Sequence, residues 1–322
     1  MKKTLWTLAL VAVLQPVAPA FAAGDPPLTR IVVGYAAGGG ADGVARVYAK
    51  AMAAALGRDV IVENKPGAGG TLSAALVKNA PADGSTLLLG AIVINVLAPM
   101  TLGKIAYDPE TDFTPVAQLS RMDSGLAVGA ESPYRSVKDY LNGAKADPLQ
   151  ATFGSPAPGS LAHFFGLLLG EAGGVQLQHV PYQGTAPMRL DLMGGRLPGG
   201  ISGAADFVQL HKEGRMRILA TSGEKRSIFT PDVPTFREAG YPAATGSSWI
   251  GLFAPTGTPP EQVQRLARAV DVATRDPEVQ KALAALSMEL PNVDSAGFAR
   301  QVDADRKRWI PIVKAAGFNG DK

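Results

Sequence analysis

Two runs of glycine lie where a polypeptide could bind an anion through its backbone. Gly38, Gly39 and Gly40 follow an apolar run that begins at Ile31, and a second glycine-rich run at residues 67–70 follows another apolar run. Glycine leaves backbone N–H groups uncovered, and a helix that starts at such a loop adds the positive end of its dipole. The pattern is typical of a site for a carboxylate or a phosphate.

The same plan returns in the second half of the chain. A short apolar run at residues 151–153 enters a loop of small residues and prolines at 154–160, and Leu161, Phe164, Phe165 and Leu168 then recur at helical spacing. A strand at 176–181, a small loop at 183–185 and a helix at 186–193 follow. Each half of the chain therefore carries two strand–loop–helix units.

Periodicity and glycine stops predict the elements that position these loops. A helix over 44–55 ends before Gly57, strands are expected at 59–63 and 86–89, and a helix between them covers 71–77. This β–α–β–α–β order favours a parallel sheet. The C-terminal part is predicted to be helical, with Thr258 as an N-cap, a helix starting at Asp276-Pro277 and a last helix marked by Phe298, Val302 and Trp309.

The repeated plan predicts an α/β protein of two domains with a ligand cleft between them, each domain a mainly parallel sheet flanked by helices. We assign residues 23–122 and 225–322 to a discontinuous first domain and residues 123–224 to the second. The segment 108–137 carries the chain into the second domain, and residues near 221–234 carry it back.

The N-terminus predicts export. Lys2 and Lys3 precede an apolar segment at residues 5–14, and Ala20-Phe21-Ala22 has the small-x-small form of a signal peptidase site. Cleavage after Ala22 would release a periplasmic protein. A lipoprotein is excluded, because the chain has no cysteine.

The charge of the chain and the positions of its histidines limit the kinds of partner that it is expected to bind. The formal charge of +3 falls to +1 without the two leader lysines, so a nucleic-acid partner is not indicated. The three histidines, His163, His179 and His211, lie in separate elements without the spacing of metal ligands, so we expect no metal. His163 could face a ligand or support its loop, His179 is expected to be hydrogen-bonded within a strand, and His211 to be solvated.

An ordered set of motifs resembles a known family. The set comprises Gly39-Gly40-Ala41-Asp42, residues 62–70 (VENKPGAGG), residues 83–88 (DGSTLL), Phe113-Thr114-Pro115-Val116, His179-Val180-Pro181-Tyr182 and Asp232-Val233-Pro234-Thr235. Together these are similar to the Bug-type solute-binding receptors of tripartite tricarboxylate transport systems. The resemblance runs from about Arg30 to Gly317.

The resemblance implies a two-domain, type II-like periplasmic binding protein that closes on a small carboxylate and has no catalytic activity or cofactor. Its partners would be the membrane subunits of the transporter or a sensor kinase, and the receptor would be a monomer. The implied ligand-binding residues are Tyr35, Gly39, Gly40, Asp42, Ala91 and Asn95 from one side, and Gly154, Ser155, Gly159, Ser160, His163, Tyr182, Gly184 and Ser202 from the other.

Several of these residues also have a purely structural interpretation. Asp42 could cap its helix instead of facing the ligand. Ser155 and Ser160 could be hydroxyl donors or helix caps. Tyr35 and Tyr182 end corresponding strands and could close over the ligand from opposite sides, or simply cover the core.

The chain departs from the family pattern at two places. Residues 34–38 read GYAAG where members usually have phenylalanines and a proline, so the pocket floor is expected to differ. Pro198 and Ser202 stand at positions often held by aspartates. We therefore expect the cleft to lack an acidic group there, and a ligand bearing an amine to be less favoured.

Other classes of function remain open at this point. Gly38, Gly40 and Gly43 satisfy G-x-G-x-x-G, and Glu63 follows about twenty residues later, as in dinucleotide-binding enzymes. The predicted export argues against a nicotinamide cofactor. No G-x-S-x-G elbow is present, so an exported hydrolase would need another arrangement of its triad. A structural or adhesive role would leave the cleft without a saturable ligand.

Overall fold

The computed structural model describes residues 28–318, so the predicted leader peptide lies outside the described residues. Within this range the strands are β1 (Leu28–Val33), β2 (Asp59–Asn64), β3 (Thr86–Ala91), β4 (Phe113–Gly129), β5 (Thr152–Ser155), β6 (Gln178–Pro181), β7 (Gly200–Gly203), β8 (Met216–Thr221) and β9 (Ser247–Pro255). The helices are α1 (Gly40–Leu56), α2 (Thr71–Lys78), α3 (Ala98–Thr101), α4 (Val137–Ala146), α5 (Leu161–Gly173), α6 (Thr185–Met193), α7 (Ala205–Lys212), α8 (Pro260–Arg275), α9 (Pro277–Ala285) and α10 (Ser295–Ala315).

The strands form one sheet in the order β2-β1-β3-β9-β4-β7-β5-β6, with β8 also paired to β4. Strand β4 is 17 residues long and belongs to both ends of the sheet. Its N-terminal part pairs with β9 and its C-terminal part pairs with β7 and β8. We call β1, β2, β3, β9 and the start of β4 the first lobe, and β5 to β8 with the end of β4 the second lobe.

The strand directions make the carboxyl end of β3 in the first lobe face the carboxyl end of β7 in the second lobe. Ile250 of β9 pairs with Ala91 at the end of β3 and with Ser120 of β4, while Ser124 of β4 pairs with Gly203 at the end of β7. Because β7 runs antiparallel to β4, its end points back toward the first lobe. The four residue steps from Ser120 to Ser124 separate the two edges by about 13 Å, at roughly 3.3 Å per residue. We call the space between these two edges the cleft.

Two apolar clusters stabilise this arrangement. On one side of the first lobe, α1 buries Val44, Tyr48 and Met52 against α8 and the sheet. On the other side, Trp309 of α10 packs edge-on against Phe165 of α5, with ring centroids 5.4 Å apart. Helix α10 therefore joins the core of the first lobe to a helix of the second lobe.

The predicted α/β architecture is confirmed, and Gly57 ends α1 in the left-handed conformation. The sheet is mixed rather than mainly parallel, because β9 pairs antiparallel with β3 and β4, and β7 and β8 pair antiparallel with β4. Four strands were not predicted: β7, β8, β9 and β4, which runs through the segment interpreted as a connection. The prediction of Thr258 as an N-cap is wrong, because its hydroxyl donates to the carbonyl of Pro255 and helix α8 starts at Pro260 without a side-chain cap. Asp276 does cap α9, accepting from the N–H of Glu278.

Candidate functional site

The first glycine loop, residues 34–40, is held by one carboxylate. Asp42 Oδ2 accepts from the Gly38 N–H at 2.9 Å and from Arg46 Nε at 2.9 Å, and Oδ1 accepts from Asn64 Nδ2 at 2.9 Å. Asn64 also donates to the carbonyl of Tyr35. The hydrogen bond from Arg46, joined by those from Gly38 and Asn64, lowers the pKa of Asp42 to about 2 against the opposing effect of burial. Asp42 therefore supports the loop with both carboxylate oxygens.

The backbone at this edge of the first lobe offers two helix starts without a side-chain cap, although the first amide of α2, that of Thr71, donates to the carbonyl of Ala68. Helix α1 begins after Gly39 and α2 begins after Gly70, and no side chain caps either start. The first amides of a helix have no partner inside it, so an uncapped start directs them outward with the positive end of the dipole. On the facing edge α6 begins in the same way after Gly184, whose φ of +98° requires glycine.

Elsewhere in the fold α3 and α8 also start without a side-chain cap, whereas three other helices are capped by side chains. Their N-caps are Ser136 of α4, Asp276 of α9 and Asp294 of α10. A side-chain cap satisfies the free amides that a bound anion would otherwise use. The uncapped starts of α1, α2 and α6 thus lie at the two edges that face the cleft.

The second glycine loop, residues 154–160, is held by neutral groups. Gly159 donates its N–H to His163 Nδ1 at 3.1 Å, and Ser160 caps α5 by accepting from the His163 N–H. Ser155 Oγ lies 2.7 Å from His179 Nε2, and the two imidazoles stack with centroids 3.8 Å apart. His163 therefore supports its loop. His179 lies in β6 and is hydrogen-bonded, as predicted, with Ser155 of the neighbouring strand β5 as its partner.

The environment of the two histidines keeps them neutral. Burial, together with the neighbouring His179, lowers the pKa of His163 to about 4, and burial also lowers the pKa of His179. Ser155 is fully buried, so its Oγ is not exposed to an acyl substrate as a hydrolytic nucleophile must be. The prediction of a solvated His211 is wrong: its Nδ1 accepts from the Ile218 N–H, and its Nε2 lies 3.3 Å from Asp232.

The two tyrosines differ in their contacts. The ring of Tyr35 lies over Gly70, and its hydroxyl has no hydrogen-bond partner within residues 28–318. Burial raises the pKa of Tyr35 to about 12. The hydroxyl of Tyr182 instead donates to Asp191 Oδ2 at 2.7 Å, while its ring covers Gly154. Only the phenol of Tyr35 is left with an unused donor.

Ala91 ends β3, and Asn95 lies in the π-helical turn that follows. Asn95 is fully buried with its Oδ1 against Gly90, and neither of its side-chain amide atoms has a hydrogen-bond partner within the described chain. Its carbonyl accepts from Arg306. Ala91 thus lies at the cleft edge and Asn95 beneath it.

Ser202, near the end of β7, is part of a polar cluster that the sequence analysis missed. Its Oγ donates to Asp206 Oδ2 at 2.5 Å and lies 2.9 Å from Thr185 Oγ1, which is also 3.2 Å from Asp206 Oδ2. The expectation that no acidic group lies here is therefore wrong. Asp206 follows Ser202 by four residues, beyond the strand, and that spacing was the available signal.

The lobes touch across the cleft, and polar side chains pair where β4 passes from one lobe to the other. A Cβ built on Gly159 would lie 3.1 Å from Thr101 Cβ, so the second loop meets the first lobe there. Along β4, Asp123 Oδ1 accepts from Ser247 Oγ at 2.6 Å, and Arg121 pairs with Glu289. Burial raises the pKa of Asp123 to about 6.

The predicted site residues thus form two groups, one at the carboxyl ends of β1 and β3 and one at those of β5, β6 and β7. Between residues 28 and 318, no group of three or more acidic or histidine side chains is placed to hold a metal ion. No helix of that range combines the length and apolar character needed to cross a bilayer.

Comparison with known proteins gives consistent matches over this fold. The model of the family described as "Tripartite tricarboxylate transporter family receptor" matches residues 44–318. A protein of Cupriavidus necator described as "UPF0065 protein in gbd 5'region" is 36% identical over 289 residues, which are 90% of this chain and 87% of that protein.

Two solved structures are similar in sequence and in fold. MatC from Rhodopseudomonas palustris, with bound malate, has a TM-score of 0.73 and 33% identity, covering 89% of this chain and 99% of that one. R. palustris Rpa4515 with adipate has a TM-score of 0.77 and 32% identity, covering 91% and 99%.

Proposed function

Because the chain belongs to the receptor family of tripartite tricarboxylate transporters, we propose that it is a periplasmic receptor that captures a small organic carboxylate between its lobes. The observation that carries this proposal is the placement of uncapped helix starts on both facing edges. Two solved relatives hold malate and adipate, which are small carboxylates. The predicted resemblance to this family is confirmed.

Backbone amides suit the capture of a carboxylate from water. A carboxylate accepts several charge-assisted hydrogen bonds, and amides fixed at a helix start need little reordering to donate them. A ligand that touches both edges gains contacts that an open cleft does not offer, which is the difference in affinity that closure requires. We propose that the lobes move as residues 23–122 with 225–322 against residues 123–224.

The ligand would leave the receptor chemically unchanged and pass to the membrane subunits of the transporter. A sensor kinase as the recipient, and a monomeric receptor in solution, are further parts of the proposal. An exported enzyme is less well supported, because Ser155 is buried and both nearby imidazoles are engaged within the loop. No cofactor or metal enters this function.

A calorimetric titration of the purified protein with a panel of three- to six-carbon carboxylates tests the proposal. Saturable binding of at least one acid, recovered unaltered by mass spectrometry, is the expected result. A ligand at 100 times its Kd should also stabilise the fold by about 2.7 kcal/mol. No binding by any acid of the panel, or conversion of the bound acid, would overturn the proposal.

The role of the amides is tested by a pair of variants at the first position of α1. Gly40→Pro removes the N–H at a position that proline tolerates, whereas Gly40→Ala keeps it and meets only the flexible end of Met288. We expect Gly40→Pro to weaken binding at least tenfold and Gly40→Ala to weaken it much less. Equal effects would show that the Gly40 amide does not hold the ligand.

The role of the second loop is tested by two matched caps. Ser160→Ala and Ser136→Ala each remove the hydroxyl that caps a helix, α5 at the cleft and α4 away from it. Each variant should lose about 1 kcal/mol of stability. Only Ser160→Ala should weaken carboxylate binding, and equal affinities in the two variants would exclude the second loop from the site.

A further inference from the structure

Thr185, Ser202 and Asp206 come together at the cleft edge of the second lobe. Ser202 lies near the end of β7, Thr185 is the first residue of α6, and Asp206 lies in the first turn of α7. Because β5, β6 and β7 are parallel, the segments that follow them emerge at the same edge. This edge faces the first lobe across the gap of about 13 Å set by β4. The three side chains, which we call the hydroxyl–carboxylate cluster, therefore belong to the wall of the cleft.

The cluster leaves one acceptor unused. Ser202 and Thr185 both direct hydroxyls at Asp206 Oδ2, whereas Asp206 Oδ1 has no hydrogen-bond partner within residues 28–318. The Asp206 side chain is exposed, while Ser202 beneath it is buried. The two hydroxyls thus fix an accessible carboxylate whose second oxygen can accept a proton donor.

The charge of this carboxylate is not matched by an ion pair. Arg189 is the neighbouring cation, and its Nη1 donates to the carbonyl oxygen of Asp206 rather than to its carboxylate. In the described part of the chain no lysine or arginine forms a salt bridge with Asp206. A second carboxylate of a ligand would be repelled here, whereas a hydroxyl or an ammonium group would be attracted.

We infer that the hydroxyl–carboxylate cluster is the subsite for the distal end of the ligand, and that it selects a carboxylic acid bearing a hydroxyl or amino group over a dicarboxylate. This inference rests on the proposed carboxylate-binding function. In such a ligand the carboxylate meets uncapped helix amides and the donor group meets Asp206 Oδ1. Specificity then arises both from the attraction of a donor and from the exclusion of a second negative charge.

A set of ligands that differ only at the far carbon tests this inference. Titrations compare butanoate, 4-hydroxybutanoate, 4-aminobutanoate and succinate, and the corresponding three-, five- and six-carbon sets. In the best-bound length, the unmodified protein should bind the hydroxy or amino acid at least tenfold more tightly than the dicarboxylate. Tighter binding of the dicarboxylate would overturn the inference.

Two variants locate the source of this selectivity. Asp206→Asn keeps an acceptor for the hydroxyls and removes the charge, so the tenfold preference should fall to about one. Glu213→Gln, at the other end of α7, removes the same charge from an exposed site and should leave the preference unchanged.

The outcomes distinguish a failure of the distal subsite from a failure of the proposed carboxylate-binding function. If members of the panel bind and Asp206→Asn preserves their ratio, the distal subsite is wrong and the carboxylate receptor stands. If no acid of any length binds to the unmodified protein, the proposed function fails and the subsite fails with it. The ratio is measured on one protein preparation at a time, so partial loss of folded protein in a variant does not mimic either result.

Discussion

The two glycine loops share the same local geometry but use different hydrogen-bond acceptors. In each, a glycine with positive φ donates its N–H to the side chain four residues later, in the first turn of the following helix: Gly38 to Asp42, and Gly159 to His163. The acceptor is an ion-paired carboxylate in the first loop and a neutral imidazole in the second. The contact that shapes an anion-binding loop is thus independent of the charge of its acceptor.

The difference between the two acceptors determines how each loop responds to a fall in pH. Asp42 is paired with Arg46 and its pKa is lowered to about 2, so the first loop keeps its support down to strongly acidic pH. His163 accepts the Gly159 N–H only in its neutral form, because protonation places a hydrogen on Nδ1. The second loop is therefore the acid-sensitive side of the cleft.

The largest effect should come from filling the space beneath the first loop. A Cβ on Gly34 would lie 2.6 Å from the backbone Cα of Gly70, whereas one on Gly154 would meet side-chain atoms of Leu197 and Met188 at 2.7 and 3.0 Å. Gly34→Ala should cost about 3 kcal/mol and Gly154→Ala about 1 kcal/mol, because side chains can move aside more easily than backbone. Urea denaturation measures both, and the reverse order would contradict this account.

A smaller effect is expected when the charged support is removed. Asp42→Ala leaves the Gly38 N–H, Arg46 and Asn64 without their acceptor and should cost about 2 kcal/mol at pH 7. Since the folded pKa lies below the unfolded one, the stabilisation by Asp42 is present above pH 4 and is lost as the pH falls toward 2. Asp42→Asn, which keeps one acceptor oxygen and removes the charge, should lose less than Asp42→Ala, and an equal loss would show that the ion pair dominates.

The smallest effect is a change in pH dependence. The folded pKa of His163 is about 4, below its unfolded value of 6.5, so its contribution is complete above pH 6.5 and is lost as the pH falls toward 4. His163→Gln retains an acceptor that does not titrate. Between pH 7 and pH 5 the unmodified protein should lose about 1 to 2 kcal/mol more than this variant.

The unmodified protein is compared with the His163→Gln variant because other groups change the stability in the opposite direction as the pH falls. Burial raises the pKa values of Asp123 and Asp305 to about 6, so their unfavourable ionisation lowers stability as the pH rises from 4 to 6. These contributions are common to the unmodified protein and the variant, and they cancel in the difference. Identical pH profiles for the two proteins would remove His163 as the acid-sensitive support.

Much of the fold is predictable because glycine stops and helical periodicity are local signals. Strand β4 is not, since its buried residues include Gln118, Ser120, Asp123 and Ser124, which are polar. Its partners also come from distant parts of the chain. The alternation of apolar and polar residues therefore does not predict such a strand.

The structure places the predicted glycine loops at the two facing strand edges, but the side-chain contacts around those loops were not predicted. Positions of the glycines follow from strand ends, which the sequence marks well. The pairing of His163 with His179 and of Asp42 with Asn64 joins residues 16 and 22 positions apart, on different elements. These are tertiary contacts, which residue spacing does not determine. Asp206 was missed although it lies only four residues from Ser202, because it follows the end of β7 rather than lying within the strand.

The packing of Trp309 on α5 has a consequence for biosynthesis. A ribosome synthesises Trp309 about 150 residues after Phe164 and Phe165, the aromatic residues on which Trp309 packs. The nascent chain therefore exposes that aromatic surface until α10 has been made. A core shared by segments so far apart in the chain is completed only late in synthesis.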